Sequence, residues 1–107
     1  AYYHDVVETT FGGDMSASRE RARLFMVPGM GHCRGGNGPD TWDRLRPLVD
    51  WVERGLAPDA LIATHQTDGV VDNERPVCAV PQRAVYTGPI GGADDPVNWV
   101  QGNFTCQ

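Results

Sequence analysis

The chain has 107 residues, enough for one small domain, and a domain of that size buries only about 60–70% of its unfolded surface. Apolar residues make up 40% and charged residues 21%. That is the balance of a soluble globular chain, and no run approaches the ~20 consecutive apolar residues of a membrane-crossing helix. The net charge is −5, and Arg19, Arg21 and Arg23 are interrupted by Glu20. This excludes the clustered Lys and Arg that phosphate binding needs, so neither a nucleic acid nor a membrane is an expected partner.

Tyr3, Val6, Val7 and Phe11 recur at spacings of three and four, which predicts a helix over residues 2–11 stopped by Gly12-Gly13. Residues 14–22 are polar and read as a loop. Residues 23–28, Arg-Leu-Phe-Met-Val-Pro, are a short apolar run bounded by turn residues, the pattern of a buried strand. Pro28-Gly29-Met30-Gly31 ends it, and residues 29–40 read as a glycine-rich loop. The clearest helix covers 41–54. Trp42, Leu45, Leu48, Val49, Val52 and Leu56 form an apolar stripe, while Asp43, Arg46, Asp50, Glu53 and Arg54 lie mostly off it. The stripe, with Trp42 and Trp51, is expected to pack. Asp40 or Thr41 is the expected N-cap and Gly55 the C-terminal cap. Pro47 conflicts with a helix interior and predicts either a kink or a start near residue 43 or 44.

Leu61-Ile62-Ala63-Thr64 reads as a second short strand, 66–75 as a polar turn, and Val77 to Tyr86 as extended at best. From Gly88 onward Gly, Pro, Asn and Asp argue against regular structure. Trp99 and Phe104 either cover the domain edge or face solvent. The expected organisation is one segment: a strand, histidine-loop and helix part over 1–65, and a loop-rich tail over 66–107.

The three cysteines, Cys33, Cys78 and Cys106, leave one with a free thiol or a partner elsewhere. Cys78 and Cys106 read as a structural disulfide, which would close a loop of roughly 28 residues and contribute around 3 kcal/mol. The alternative is two free thiols in a reducing compartment.

The stretch from Leu24 to Cys33, Leu-Phe-Met-Val-Pro-Gly-Met-Gly-His-Cys, carries the most chemistry. A buried strand delivers His32 to a tight glycine loop, and a helix follows. The catalytic histidine of α/β-hydrolases sits on such a loop after the last strand. Flanking glycines let the backbone turn sharply and leave the imidazole unobstructed. The chain order in those enzymes is nucleophile, acid, histidine, so a C-terminal piece holds only the histidine. The plainer reading of His32 is a loop histidine with ordinary hydrogen bonds, and the flanking motif outweighs it. His4 and His65 keep the plainer reading. A zinc site made from the three histidines and Cys33 lacks metal-type spacing. Asn103-Phe104-Thr105 fits the glycosylation sequon, a three-residue match common by chance. Asp94-Asp95 reads as a solvated turn rather than a calcium site.

On these residues the chain resembles the tannase and feruloyl esterase family. The matching blocks are Tyr2-Tyr3 with Val6-Val7, Arg23 to Cys33, Trp51-Val52-Glu53-Arg54-Gly55, Ala57-Pro58-Asp59, and Arg75-Pro76-Val77-Cys78. They cover nearly the whole chain but only about the last fifth of a typical member. The resemblance implies that His32 is the general base of a serine esterase. It also implies that Cys33 bonds a cysteine beside the upstream serine, clamping serine and histidine together. The family's acid precedes the segment that matches Tyr2-Tyr3, so Asp5 and Asp14 are not that acid. Arg34 departs from the usual pattern, in which a glycine-rich run follows the cysteine directly.

The expected fold class is therefore α/β: a C-terminal fragment of an α/β-hydrolase, with one or two short strands, one main helix and a disulfide-stapled tail. The chain starts Ala1-Tyr2-Tyr3-His4, with no initiator Met and no basic and apolar leader, and is expected to be processed or part of something longer. The implied activity is hydrolysis of phenolic-acid esters such as gallates or ferulates, without a cofactor or metal, in a secreted or periplasmic enzyme. The expected partners are the phenolic ester and the remainder of the esterase, as an upstream segment or separate chain, with self-association (a homo-oligomer) as another cover for the apolar helix face. A different class stays beside it: a small disulfide-stapled module that binds a partner and catalyses nothing. The esterase reading expects Cys33 unpaired within this chain or bonded to another, whereas the module expects it buried.

Overall fold

The first helix, α1 (Tyr2–Phe11), forms where the apolar spacing predicts it, and Gly12 closes it in the left-handed conformation at φ 60°. The polar stretch that follows is not a loop. Asp14 accepts a hydrogen bond from the Ala17 backbone N–H at 3.0 Å and so caps a second short helix, α2 (Met15–Arg19). Ser18 is fully buried and its hydroxyl donates to that of Tyr3 at 3.5 Å, while the Tyr3 hydroxyl donates to the Ala22 carbonyl just past α2 at 3.2 Å, which ties α1 to α2. The computed structural model describes all residues, 1–107.

The apolar run 23–28 is not a buried strand. Phe25 makes a single antiparallel bridge to Ala79, and Met26 is 66% exposed. Only one neighbour offers backbone partners, so no ladder grows. What fixes this segment is Arg23. Its guanidinium donates to the carbonyls of Pro58 at 2.7 Å and Arg19 at 3.0 Å, pairs with Asp59, and lies 5.7 Å from the Trp51 ring centre.

The main helix starts later than its apolar stripe suggests. Thr41–Trp42 forms a short strand, β1, and helix α3 runs over Arg46–Arg54. The Asp43 carboxylate, rather than Asp40 or Thr41, takes the free N–H groups of Leu45 and Arg46, each at 3.0 Å. Pro47 then falls in the first turn, where a missing donor costs nothing. Gly55 ends the helix at φ 68°. The expected packing of the stripe does not occur: Leu45, Leu48, Val52 and Leu56 are exposed, Leu48 at 54% and Val52 at 77%.

The expected polar turn at 66–75 is mostly strand. β2 (Ala60–Thr67) and β3 (Val70–Cys78) form an antiparallel hairpin joined by Asp68-Gly69, both at positive φ, 52° and 81°. That is the backbone an Asp-Gly hairpin turn requires. β1 adds to β2, giving the order β1-β2-β3. The tail is also more regular than expected. β4 (Ala84–Tyr86) pairs antiparallel with β5 (Phe104–Cys106), and two short 3₁₀ turns occupy 96–98 and 101–103. Asp95 caps the first of these turns. A Cys78–Cys106 disulfide ties the two sheets together. Trp99 and Phe104 are half-buried, Phe104 edge-on to Tyr86 at 5.5 Å.

The result is a small mixed helix-and-strand domain with five strands, not one or two, all paired antiparallel. Its buried apolar residues are few and small: Val7 on α1, Ala63 on β2, Val77 and Cys78 at the end of β3, and Ala79 just beyond it. No helix is long and apolar enough to cross a membrane.

Candidate active site

The loop holding His32 is built by backbone hydrogen bonds between its own two arms. Gly31 N–H donates to the Gly35 carbonyl at 2.6 Å, Gly38 N–H donates to the Gly29 carbonyl at 2.9 Å, and Met30 bridges Gly36. The close approach explains the glycines: a Cβ at Gly36 would strike the Gly29 carbonyl oxygen, and one at Gly38 the Pro28 carbonyl oxygen. The two arms push residues 32–34 outward as an exposed tip.

At that tip the His32 ring is exposed. Its polar neighbour is the Cys33 sulfur, 3.2 Å from Nδ1 and 4.0 Å from Nε2. No carboxylate of this chain hydrogen-bonds the ring. Asp14 is occupied in capping α2, and Asp5 makes no contact with His32. Cys33 is unpaired and exposed, and it holds φ at 66°, a region that non-glycine residues seldom adopt.

Where the loop rejoins the sheet, two acids and a second histidine meet. The Asp40 carboxylate accepts the Gly35 N–H at 2.7 Å and the Thr41 hydroxyl at 3.0 Å, while Asp40 N–H donates to the Thr64 carbonyl of β2 at 3.0 Å. The Gly35 bond chiefly holds the Asp40 carboxyl below the usual carboxylate range, with help from Thr41 and the charge of Arg34. One residue beyond Thr64, His65 Nδ1 stands 2.6 Å from Asp72, and the Thr67 hydroxyl donates to the other Asp72 oxygen at 2.5 Å. The Asp72 hydrogen bond raises the His65 imidazole above its ordinary 6.5, and the charges of Asp72 and Asp40 act the same way. His65 was expected to be an ordinary histidine. Its partner is Asp72, seven residues on across an Asp-Gly turn.

His4 lies apart on α1, 3.9 Å from Glu8. No three His, Cys, Asp or Glu residues stand close enough to hold a metal ion. A cavity of about 480 Å³ lies beside the base of the loop, lined by Pro28, Gly29, Gly38, Arg75, Tyr86 and Trp99 among others.

The chain matches the family model described as "Tannase and feruloyl esterase" over residues 1–98. It is 46% identical over 98 residues to the mono(2-hydroxyethyl) terephthalate hydrolase of Piscinibacter sakaiensis, a match covering 89% of this chain and 15% of that protein. It is 36% identical over 104 residues to a probable feruloyl esterase B-1 of Aspergillus fumigatus, covering 83% of this chain and 20% of the relative. Among solved structures, an esterase from Aspergillus oryzae superposes with a TM-score of 0.80 at 30% identity, over 99% of this chain and 23% of that one. Feruloyl esterase B from Aspergillus oryzae gives a TM-score of 0.75 at 27% identity with the same coverage. The chain thus spans about a fifth of the length of the relatives it matches. With its match running from residue 1 to residue 98, this chain belongs to the tannase and feruloyl esterase family.

Proposed function

We propose that this chain supplies the catalytic histidine, His32, of a serine carboxylic-ester hydrolase of the α/β-hydrolase type that acts on phenolic-acid esters. The nucleophilic serine and the acid come from polypeptide outside these residues. The carrying observation is the state of His32 itself: an exposed imidazole on a glycine-held tip, with no carboxylate to orient it. In this reading the missing acid orients the ring, and the other nitrogen takes the serine proton as the serine oxygen attacks the ester carbon. The same nitrogen returns the proton to the alcohol oxygen as its bond to carbon breaks. Water then repeats the cycle on the acyl-enzyme.

Cys33 supports the same reading. It now occupies the Nδ1 side of His32. A disulfide from Cys33 to an upstream cysteine would draw the sulfur away and leave Nδ1 open to the acid. Its unusual φ belongs to the strained backbone that collects at functional sites. A self-contained binding module would bury Cys33, which is exposed. The exposed face of α3 is the surface the remaining hydrolase would cover. The Cys78–Cys106 disulfide fits an oxidising, secreted or periplasmic setting.

The test is hydrolysis of alkyl ferulate and gallate esters by this chain alone, and by the chain joined to the upstream portion of a family esterase. The isolated chain is expected at the buffer rate and the completed enzyme well above it. His32→Ala in the completed enzyme should lower kcat by about 10⁴-fold or more. Activity from the isolated chain, or a fully active His32→Ala enzyme, would overturn the proposal.

A further inference from the structure

The cavity of about 480 Å³ beside the base of the histidine loop is lined by polar residues that the chain leaves without partners. Asn73 and Arg75 stand two apart on β3, so their side chains share one face of the strand, with backbone positions about 7 Å apart. Both line the cavity. Asn73 is only 8% exposed, and its Oδ1 is buried with no donor to accept from. The Tyr86 hydroxyl on β4 is also buried and unpartnered, and Tyr86 lines the same cavity. Buried polar atoms are nearly always paired in folded proteins, so two such residues along one cavity call for a partner from outside the chain.

Arg75 adds a charge of the same kind. The arginine ion pairs of this chain use Arg19, Arg23, Arg46 and Arg54, and none uses Arg75. Burial alone perturbs its guanidinium, lowering it, and no acid of the chain offsets that. The remaining lining is aromatic and held in place. The Trp99 indole N–H donates to the Ala93 carbonyl at 2.8 Å, and the Trp99 carbonyl accepts the Glu74 N–H of β3 at 2.8 Å. Phe104 meets Tyr86 edge-on at 5.5 Å, and the Cys78–Cys106 disulfide ties β3 to β5. Pro28 and Gly38 of the histidine loop complete the lining.

We propose that this cavity binds a small aromatic carboxylate that carries a hydroxyl. The carboxylate pairs with the planar fork of Arg75, which matches it with two parallel hydrogen bonds. The ring lies against Trp99 and Tyr86, and the hydroxyl donates to Asn73 Oδ1. The spacing of Asn73 and Arg75 along β3 is roughly the reach from a carboxylate to a para hydroxyl across one benzene ring. The volume lies within the range of small-molecule sites, which join aromatic walls to a few placed polar groups. All of the lining comes from this chain, which favours a small molecule over a side chain of another polypeptide. None of these residues takes part in the mechanism argued for His32.

The probe is 4-hydroxybenzoate, followed by NMR in the wild-type 107-residue chain. The Trp99 indole N–H and the Asn73 side-chain amide should shift saturably as it is added. Benzoate, which lacks the hydroxyl, should bind about 3–10-fold more weakly. Methyl 4-hydroxybenzoate, which lacks the charge, should bind about 10-fold or more weakly. These comparisons use one protein, so no variant has to fold. Arg75→Gln should weaken 4-hydroxybenzoate by about 10-fold or more, and Arg75→Lys, which keeps the charge without the fork, by less. In the completed enzyme the same resonances should respond with the same ranking of ligands. No saturable shift, or an ester that binds as tightly as the acid, would overturn the proposal. So would a completed enzyme in which an upstream carboxylate holds Arg75 and keeps the acid out. Any of these results leaves the assignment of His32 standing, because the His32→Ala measurement decides that alone.

Discussion

Near the turn of the β2–β3 hairpin, His65, Thr67 and Asp72 satisfy one another, whereas at the tip of the 29–38 loop His32 has only the sulfur of the next residue. The contrast extends beyond the two histidines. The opposite, open end of the hairpin, where β3 ends, holds most of the buried apolar side chains and is tied to the tail by a disulfide. The loop is followed by α3, whose Leu45, Leu48, Val52 and Leu56 meet solvent. Both regions come from one short chain with the same composition, so composition does not separate them. What differs is where their partners lie. The hairpin's partners are within 30 residues in sequence, whereas within these 107 residues His32 has no carboxylate partner and the α3 face no apolar cover. A region that completes itself determines stability; a region left incomplete points to what must be added.

This difference can be broken by substitution. The largest expected effect is on the completed side. Replacing Cys78 and Cys106 together by alanine should cost about 3 kcal/mol of stability, which for a chain of this size lowers Tm by roughly 10–20 °C in a circular-dichroism melt. Coincident melts of the wild type and the double variant under oxidising conditions would remove the disulfide from the account. A smaller effect is expected on the other side. Val52→Glu lies on the exposed face of α3, so it should change the stability of the isolated chain by no more than about 0.5 kcal/mol. The same change should weaken association with the upstream portion by about 10-fold or more, because it places a charge where apolar surface is to be buried. Titration calorimetry or native mass measurement reads that loss. A large drop in the melt of Val52→Glu would mean that α3 already packs within this chain, and the contrast would fail.

The readable parts of the sequence were those whose signals are local. Helix α1 and its Gly12 stop, the Gly55 cap, the strand around Ala63 and the Cys78–Cys106 pair all follow from residues a few positions apart or from simple pairing. The glycine-spaced His32 motif was legible for the same reason, since a tight self-bonded loop is encoded in its own ten residues. The misreadings share a different cause. Residues 14–22 look merely polar unless Asp14 is seen as a cap. The run 23–28 is apolar but finds only one pairing neighbour, so it stays a single bridge. Residues 66–75 are strand because β2 offers them a ladder, and strand preference depends on such cross-strand partners more than on the residues themselves. The Asp43 cap displaced the start of α3 because residues 41–42 are taken by β2. The His65–Asp72 pair was the least legible, because its two members meet only across the turn.

The finest test of the contrast is Asp72→Asn, which leaves the Thr67 hydroxyl an acceptor but removes the negative charge beside His65. With that charge gone, the His65 midpoint should fall back toward 6.5, read from its ring protons by NMR. The sign follows from both partners. His65 is raised, so its contribution is present at low pH and lost as pH climbs through its raised value. Asp72 is lowered, by the Thr67 hydroxyl first and by His65 next, so its contribution is present above the ordinary 3.8 and lost as pH falls through its lowered value. The pair is therefore intact between those limits, and wild-type stability should decline on the alkaline side of that window. In Asp72→Asn the decline should vanish. If the His65 midpoint does not move, Asp72 is not what holds the ring. The hairpin would then be no more self-sufficient at this point than the loop beside it.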